Sequence, residues 1–122
     1  MIMEMEHEGQ AASAFELDEL VDRCMGNLEF VERVLTKFQQ RFGEQLEELE
    51  RALAQEDTER VVLVAHRLKG ESASVAAAAL RNRAGEIEKL GRAGQVSNIP
   101  HCLERLRAEW AQFAESVSTL DW

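Results

Sequence analysis

Apolar residues recur three and four positions apart along most of this chain, the spacing of helices that each bury one stripe. The longest run is Val31, Leu35, Phe38, Phe42, Leu46, Leu49 and Leu53, widened by Phe30 and Val34. It predicts a helix over about 28–55, with Asn27 as its N-cap and Gly43 as a soft spot inside it. Ahead of it, Phe15, Leu17, Leu20, Val21 and Cys24 supply the apolar side of a short helix over 15–24, which Gly26-Asn27 breaks. Behind it, Gln55-Glu56-Asp57-Thr58 reads as a turn, where Asp57 or Thr58 can cap a third helix.

Wound at about 100° per residue, the stretch 61–80 gathers Val61, Val64, Ala65, Leu68, Ser72 and Val75 on one side. His66, Lys69, Gly70 and Ala73 share a different flank, with Val62 beside them. This helix is expected to end or bend near Ser74, which can cap a fourth. Leu80, Ala84, Ile87 and Leu90 give the fourth helix its core face, and the alanines of 76–79 let neighbours approach closely. Gly91 and Gly94 are expected to close it. A polar loop follows over 95–98, with Ser97 or Asn98 as cap of the last helix and Pro100 in its first turn. There Ile99, Leu103, Leu106, Trp110, Phe113, Val117 and Leu120 form a heptad seam, suited to helices crossing at about 20°. Short connections favour antiparallel neighbours. The fold class is therefore all-α: an antiparallel up-and-down four-helix bundle with a short extra N-terminal helix. Residues 1–12 are expected to be a disordered acidic tail and 13–122 a single domain.

A chain of 122 residues, 45% apolar and 30% charged, has the size and balance of one soluble domain. One proline and no tyrosine agree with an all-helical chain. A net charge of −9 disfavours nucleic acid and anionic membranes as partners. No apolar run nears the ~20 residues of a membrane span. The N-terminus lacks the basic and apolar regions of a signal peptide, so a cytoplasmic location is expected. Cys24 and Cys102 stand alone, without metal-ligand spacing, and read as reduced thiols. Glu4 and His7 have a spacing used by metal bundles, but no second copy accompanies them. His101 reads as a surface histidine, and Glu44, Glu47, Glu48 and Glu50 as a solvated face. No metal or cofactor site is expected.

The chemistry concentrates at His66. Gly70, one turn along the same face, costs about 1 kcal/mol relative to alanine inside a helix. Bare backbone there leaves the imidazole open to a partner. A neutral imidazole is a competent nucleophile, and Lys69 places a cation within reach of whatever it carries. Together these suggest a histidine that accepts an anionic group, with phosphoryl the first candidate.

Ala65-His66-Arg67-Leu68-Lys69-Gly70-Glu71-Ser72 resembles the signature AHxLKGxS of histidine-containing phosphotransfer (HPt) domains. The family often has Gly-Ala ten and eleven residues after the histidine, then a leucine; this chain has Ala76-Ala77 and Leu80. Upstream, 38–57 looks like the family's lead-in helix and acidic turn, and the resemblance spans roughly 15–117. It implies a phosphocarrier of multistep two-component signalling. His66 would accept a phosphoryl group through Nε2 from a receiver-domain aspartate and pass it to another receiver. Lys69 would support the phosphoryl charge, and Gly70 would allow close docking. The partners implied are response-regulator receiver domains and a hybrid sensor histidine kinase, with Mg²⁺ supplied by the receiver and a monomeric carrier. Arg67, Arg81 and Arg83 read either as contacts to a receiver's acidic surface or as solvated charge. The chain has no Gly-rich phosphate loop, Walker-type lysine motif or kinase signature, so no kinase activity with ATP is expected. The alternative reading is a helical adaptor that binds receivers or kinases without being phosphorylated, against which the intact His66 argues. A metal-binding or enzymatic bundle would need converging carboxylates that the sequence does not display.

Overall fold

The computed structural model describes residues 16–120 of the chain. The expected tail, Phe15, Glu4 and His7 lie outside these. Among the described residues there are five α-helices and no strand: α1 Leu17–Arg23, α2 Leu28–Ala54, α3 Thr58–Ser74, α4 Ala78–Arg92 and α5 Ile99–Ser118. A 3-10 turn, Val96–Asn98, leads into α5. Two expected caps are in place. Asn27 accepts the Phe30 N–H at 3.1 Å, and Asp57 accepts the Arg60 N–H at 3.2 Å, so each satisfies a donor left over by its helix start.

The helix ends share one device. In the Schellman closure the chain turns left-handed just past the helix, and the next two N–H groups bond back to its last-turn carbonyls. The residues at that turn are Met25, Glu56, Ala76 and Gly94, with φ of 57°, 55°, 59° and 74°. The closing bonds run from Gly26 to Val21, Asp57 to Ala52, Ala77 to Ser72 and Gln95 to Leu90, each 2.9 Å. Only one of the four is glycine, and at the α3–α4 corner, where Ala76 takes the turn, α4 starts later than the expected cap at Ser74. Ser74 does not cap α4: its hydroxyl donates to the Glu71 carbonyl at 2.7 Å, within the end of α3. Ala77 holds the N-cap position and makes no side-chain cap. Nor do Ser97 and Asn98 cap α5, which is entered through the 3-10 turn instead; Pro100 does sit in its first turn. Gly94 closes α4 as expected. Gly91 does not: it is buried inside the helix, where a Cβ would come within 2.6 Å of Val62 Cγ2.

Helix directions follow from side-chain partners. Glu48 pairs with Arg60 near the α2–α3 corner, while Arg41 and Glu71 pair farther from it, so α2 and α3 run antiparallel. Val62 faces Gly91, and Lys69 lies over Gly85, which gives α3 and α4 the same relation. On the opposite side Phe38 and Phe42 of α2 meet Trp110 and Phe113 of α5, with Phe42 and Trp110 stacked at 4.3 Å. The buried core draws on every helix, from Leu20 through Leu35, Phe42, Leu49, Val64, Leu68, Leu80, Ile87 and Leu106 to Phe113. Phe30 is the exception to the predicted stripe. It remains 45% exposed, with the Arg33 guanidinium 5.9 Å above its ring. The short α1 clamps the α3–α4 corner. The Glu16 N–H bonds the Ala76 carbonyl at 2.9 Å, and Arg23 donates to the Ala73 carbonyl at 2.8 Å. A cation on the last carbonyls of α3 suits the negative end of its dipole.

Candidate functional site

His66 lies midway along α3, on the flank that meets α4. Its neighbours Ala65 and Leu68 face the core and fix the rotation of the helix. Its side chain is 59% exposed, yet Nδ1 is 2.9 Å from Glu88 Oε2 on α4. Glu88 is the unexpected member of the site. It is one of two buried polar side chains among the described residues, the other being Ser72. Lys69 Nζ donates to Glu88 Oε1 at 2.9 Å, and Arg92, one turn along α4, donates to Oε2 through Nη2 at 2.7 Å. Burial alone pushes the Glu88 carboxyl up, but hydrogen bonds from Lys69, Arg92 and His66 outweigh it and hold the group at about 2. The carboxylate is therefore ionised at any physiological pH.

An ionised carboxylate only accepts hydrogen bonds. The imidazole must then carry its proton on Nδ1, which leaves the Nε2 lone pair free. No protein group bonds to Nε2 among the described residues. The side chain is thus held at one ring nitrogen and available at the other, the arrangement a nucleophilic imidazole needs.

Small residues permit this geometry. Gly91 lets the α4 backbone approach Val62, one turn before His66, and Gly85 makes room for the stem of Lys69, whose Cδ would lie 3.4 Å from a Cβ there. Gly70 differs from both, since a Cβ added to it would meet nothing within 4 Å. No internal packing requires glycine at that position, which faces open surface one turn from His66.

The sequence-derived residues divide accordingly. His66 and Lys69 converge on one carboxylate, and Gly70 lies on the open surface beside them. Arg67 sits with Arg41, Glu44 and Gln45 around a shallow depression between α2 and α3. Arg83 pairs with Glu86 at 3.0 Å, and the exposed Arg81 donates to Asn82; neither reaches His66. Sequence reasoning missed Glu88 and Arg92. The signal was present: Glu88 stands four residues after Ala84 and three before Gly91, on the face that α4 buries. An acid on a core face needs partners, and Arg92, four residues on, is one of them. Cys24 and Cys102 are free thiols; burial, with Glu86 nearby, pushes the Cys102 thiol up and away from reactivity.

The chain is a member of the Hpt domain family, whose family model matches residues 33–116. Its fold is similar to that in the crystal structure of histidine-containing phosphotransfer protein B (HptB) from Pseudomonas aeruginosa PAO1. That match has a TM-score of 0.80 at 23% identity, covering 91% of this chain and 100% of the other. No curated protein sequence matches the chain. Among the described residues no helix is long and apolar enough to cross a membrane.

Proposed function

We propose that this protein is a histidine phosphocarrier of a multistep phosphorelay, with His66 as the acceptor. The four long helices form an up-and-down bundle with α1 in front, in a domain spanning 13–122. The Nε2 lone pair attacks the phosphorus of a receiver's aspartyl phosphate, and the bond from phosphorus to the aspartate oxygen breaks with its electron pair. The Nδ1 proton stays on the hydrogen bond to Glu88 throughout. In the second half, a carboxylate of another receiver attacks the phosphorus and the P–N bond electrons return to Nε2. Lys69, anchored on Glu88 in the free protein, supports the charge of the phosphoryl group. Gly70 leaves the surface open for the receiver to dock. Mg²⁺ comes with the receiver and neutralises phosphoryl charge there. The upstream partner is a hybrid sensor histidine kinase, the carrier is a cytoplasmic monomer, and it draws nothing from ATP itself.

The observation that carries this reading is the His66–Glu88 hydrogen bond, which frees Nε2 on an exposed ring. The test is transfer of radiolabel from a phosphorylated receiver domain to the wild type and to His66→Gln. An acid-labile, alkali-stable label on the wild type alone is expected, with the variant's melting temperature nearly unchanged. Binding to receivers without any label would favour the adaptor instead.

A further inference from the structure

Glu88 does more than orient the ring, because its charge acts on the phosphorylated state as well. We infer that the Glu88 carboxylate keeps the proton on Nδ1 of phosphorylated His66, and thereby makes the phosphoryl group labile and quick to leave. This rests on His66 being the phosphoryl acceptor.

The rate at which the phosphoryl group departs depends on the imidazole form it leaves behind. When Nε2 carries phosphoryl and Nδ1 keeps its proton, the ring is cationic, and breaking the P–N bond releases a neutral imidazole. If Nδ1 has lost its proton, the same cleavage must release an imidazolate, a far poorer leaving group. Whatever holds the Nδ1 proton therefore sets how fast the phosphoryl departs, to a receiver or to water. In this protein the holder is an anion, 2.9 Å away and 7% exposed, so its attraction for a cationic ring is little screened by solvent. The other charged groups gathered there are Lys69 on the histidine's own helix and Arg92 on α4, both cations and both bonded to Glu88. No other ion pair or hydrogen bond reaches the ring among the described residues, from α2 included. Among the described residues Glu88 is the one protein anion bonded to the ring; it favours the cationic form, and it also neutralises the two cations that oppose it. A glutamine at this position could still accept the Nδ1–H bond, but it would bring no charge and would leave both cations uncompensated.

Phosphoramidate provides the test, since it phosphorylates exposed imidazoles without a receiver. The wild type, Glu88→Gln and the double variant Glu88→Gln/Lys69→Gln are labelled. Loss of the His66 label is then followed against pH by mass spectrometry, with His66→Gln marking the background at other histidines. Removing one charge-assisted hydrogen bond is expected to lengthen the label's life at neutral pH by roughly tenfold. The pH at which label loss slows is expected to move down in Glu88→Gln. A purely structural role for Glu88 would change rates without moving that pH. The double variant is expected to keep the shift; its disappearance would mean that a freed Lys69 clamps the phosphoryl, and would overturn the inference. An unmoved profile in Glu88→Gln, or a wild type that takes no label at His66, would overturn it equally. Failure of receivers to phosphorylate the protein would sink the relay reading and leave this test standing, because its donor is a small molecule.

Discussion

Two seams of this bundle solve the same packing problem with opposite chemistry. Between α2 and α5, Phe38, Phe42, Trp110 and Phe113 form an aromatic cluster with ring centroids 4.3 to 6.2 Å apart. Between α3 and α4, Gly91 and Gly85 leave room for Val62 and the stem of Lys69, and one carboxylate holds three cationic or proton-donating side chains. The first seam spreads its contacts over four rings, each of which meets at least two of the others. The second hangs on Glu88, whose loss leaves three partners without an acceptor. On the proposed function, damage to the first seam should read out in stability and damage to the second in phosphotransfer.

The largest effect is expected on the aromatic side. Phe42→Ala removes a fully buried ring from α2 and leaves a cavity against Trp110, at a cost of about 3–5 kcal/mol. Denaturant unfolding should show that loss, while the surviving folded protein still accepts phosphoryl at His66. A dead but stable variant would mean that the two seams are not separable.

A smaller effect comes from the site itself through pH. The Glu88 carboxyl lies at about 2 in the folded protein, below its ordinary value of 4.5. A depressed carboxyl stabilises the fold fully above the unfolded value and loses that contribution as pH falls towards the folded one. The stability gap between wild type and Glu88→Gln should therefore hold constant above pH 4.5, then shrink by about 3 kcal/mol towards pH 2. Denaturant titrations at several acidic pH values measure it, and a gap that stays constant would show that Glu88 is not held as described.

Much of this contrast was legible in the sequence. The heptad seam of α5 and the stripe of α2 are apolar at helical spacing, and periodicity reports apolar faces well. His66, Lys69 and Gly70 stood out as candidates because three unusual choices share one flank. Glu88 was not, because a single acid among 23 Asp and Glu residues looks like surface until α4 is placed against α3. The α3–α4 corner was obscured for a different reason. Its left-handed turn residue is Ala76, at φ 59°, where glycine would be the natural choice, so no glycine marked the boundary. The turn is held by tertiary bonds instead, from Glu16 to the Ala76 carbonyl and from Arg23 to the end of α3.

The smallest stability effect, and the sharpest test of the contrast, is Gly91→Ala. In an ordinary helix this change stabilises by about 1 kcal/mol, because alanine is the better helix former. Here the new methyl would lie 2.6 Å from Val62 Cγ2, and the stiff valine side chain has few rotamers into which it can retreat. The gain and the overpacking, typically ~1–3 kcal/mol, nearly cancel, so the net destabilisation should be about 1 kcal/mol. The site should suffer more than the fold. Any widening between α3 and α4 draws Glu88 away from His66, and misplacement by an ångström can cost on the order of 100-fold in rate. Transfer from a phosphorylated receiver is thus expected to fall steeply in a variant that melts within a few degrees of the wild type. Val62→Ala added to Gly91→Ala removes the clash and should restore transfer, which separates helix spacing from any direct role of Gly91. Full activity in Gly91→Ala alone would show that the polar seam tolerates displacement, and the distinction between the two seams would then be one of composition rather than of precision.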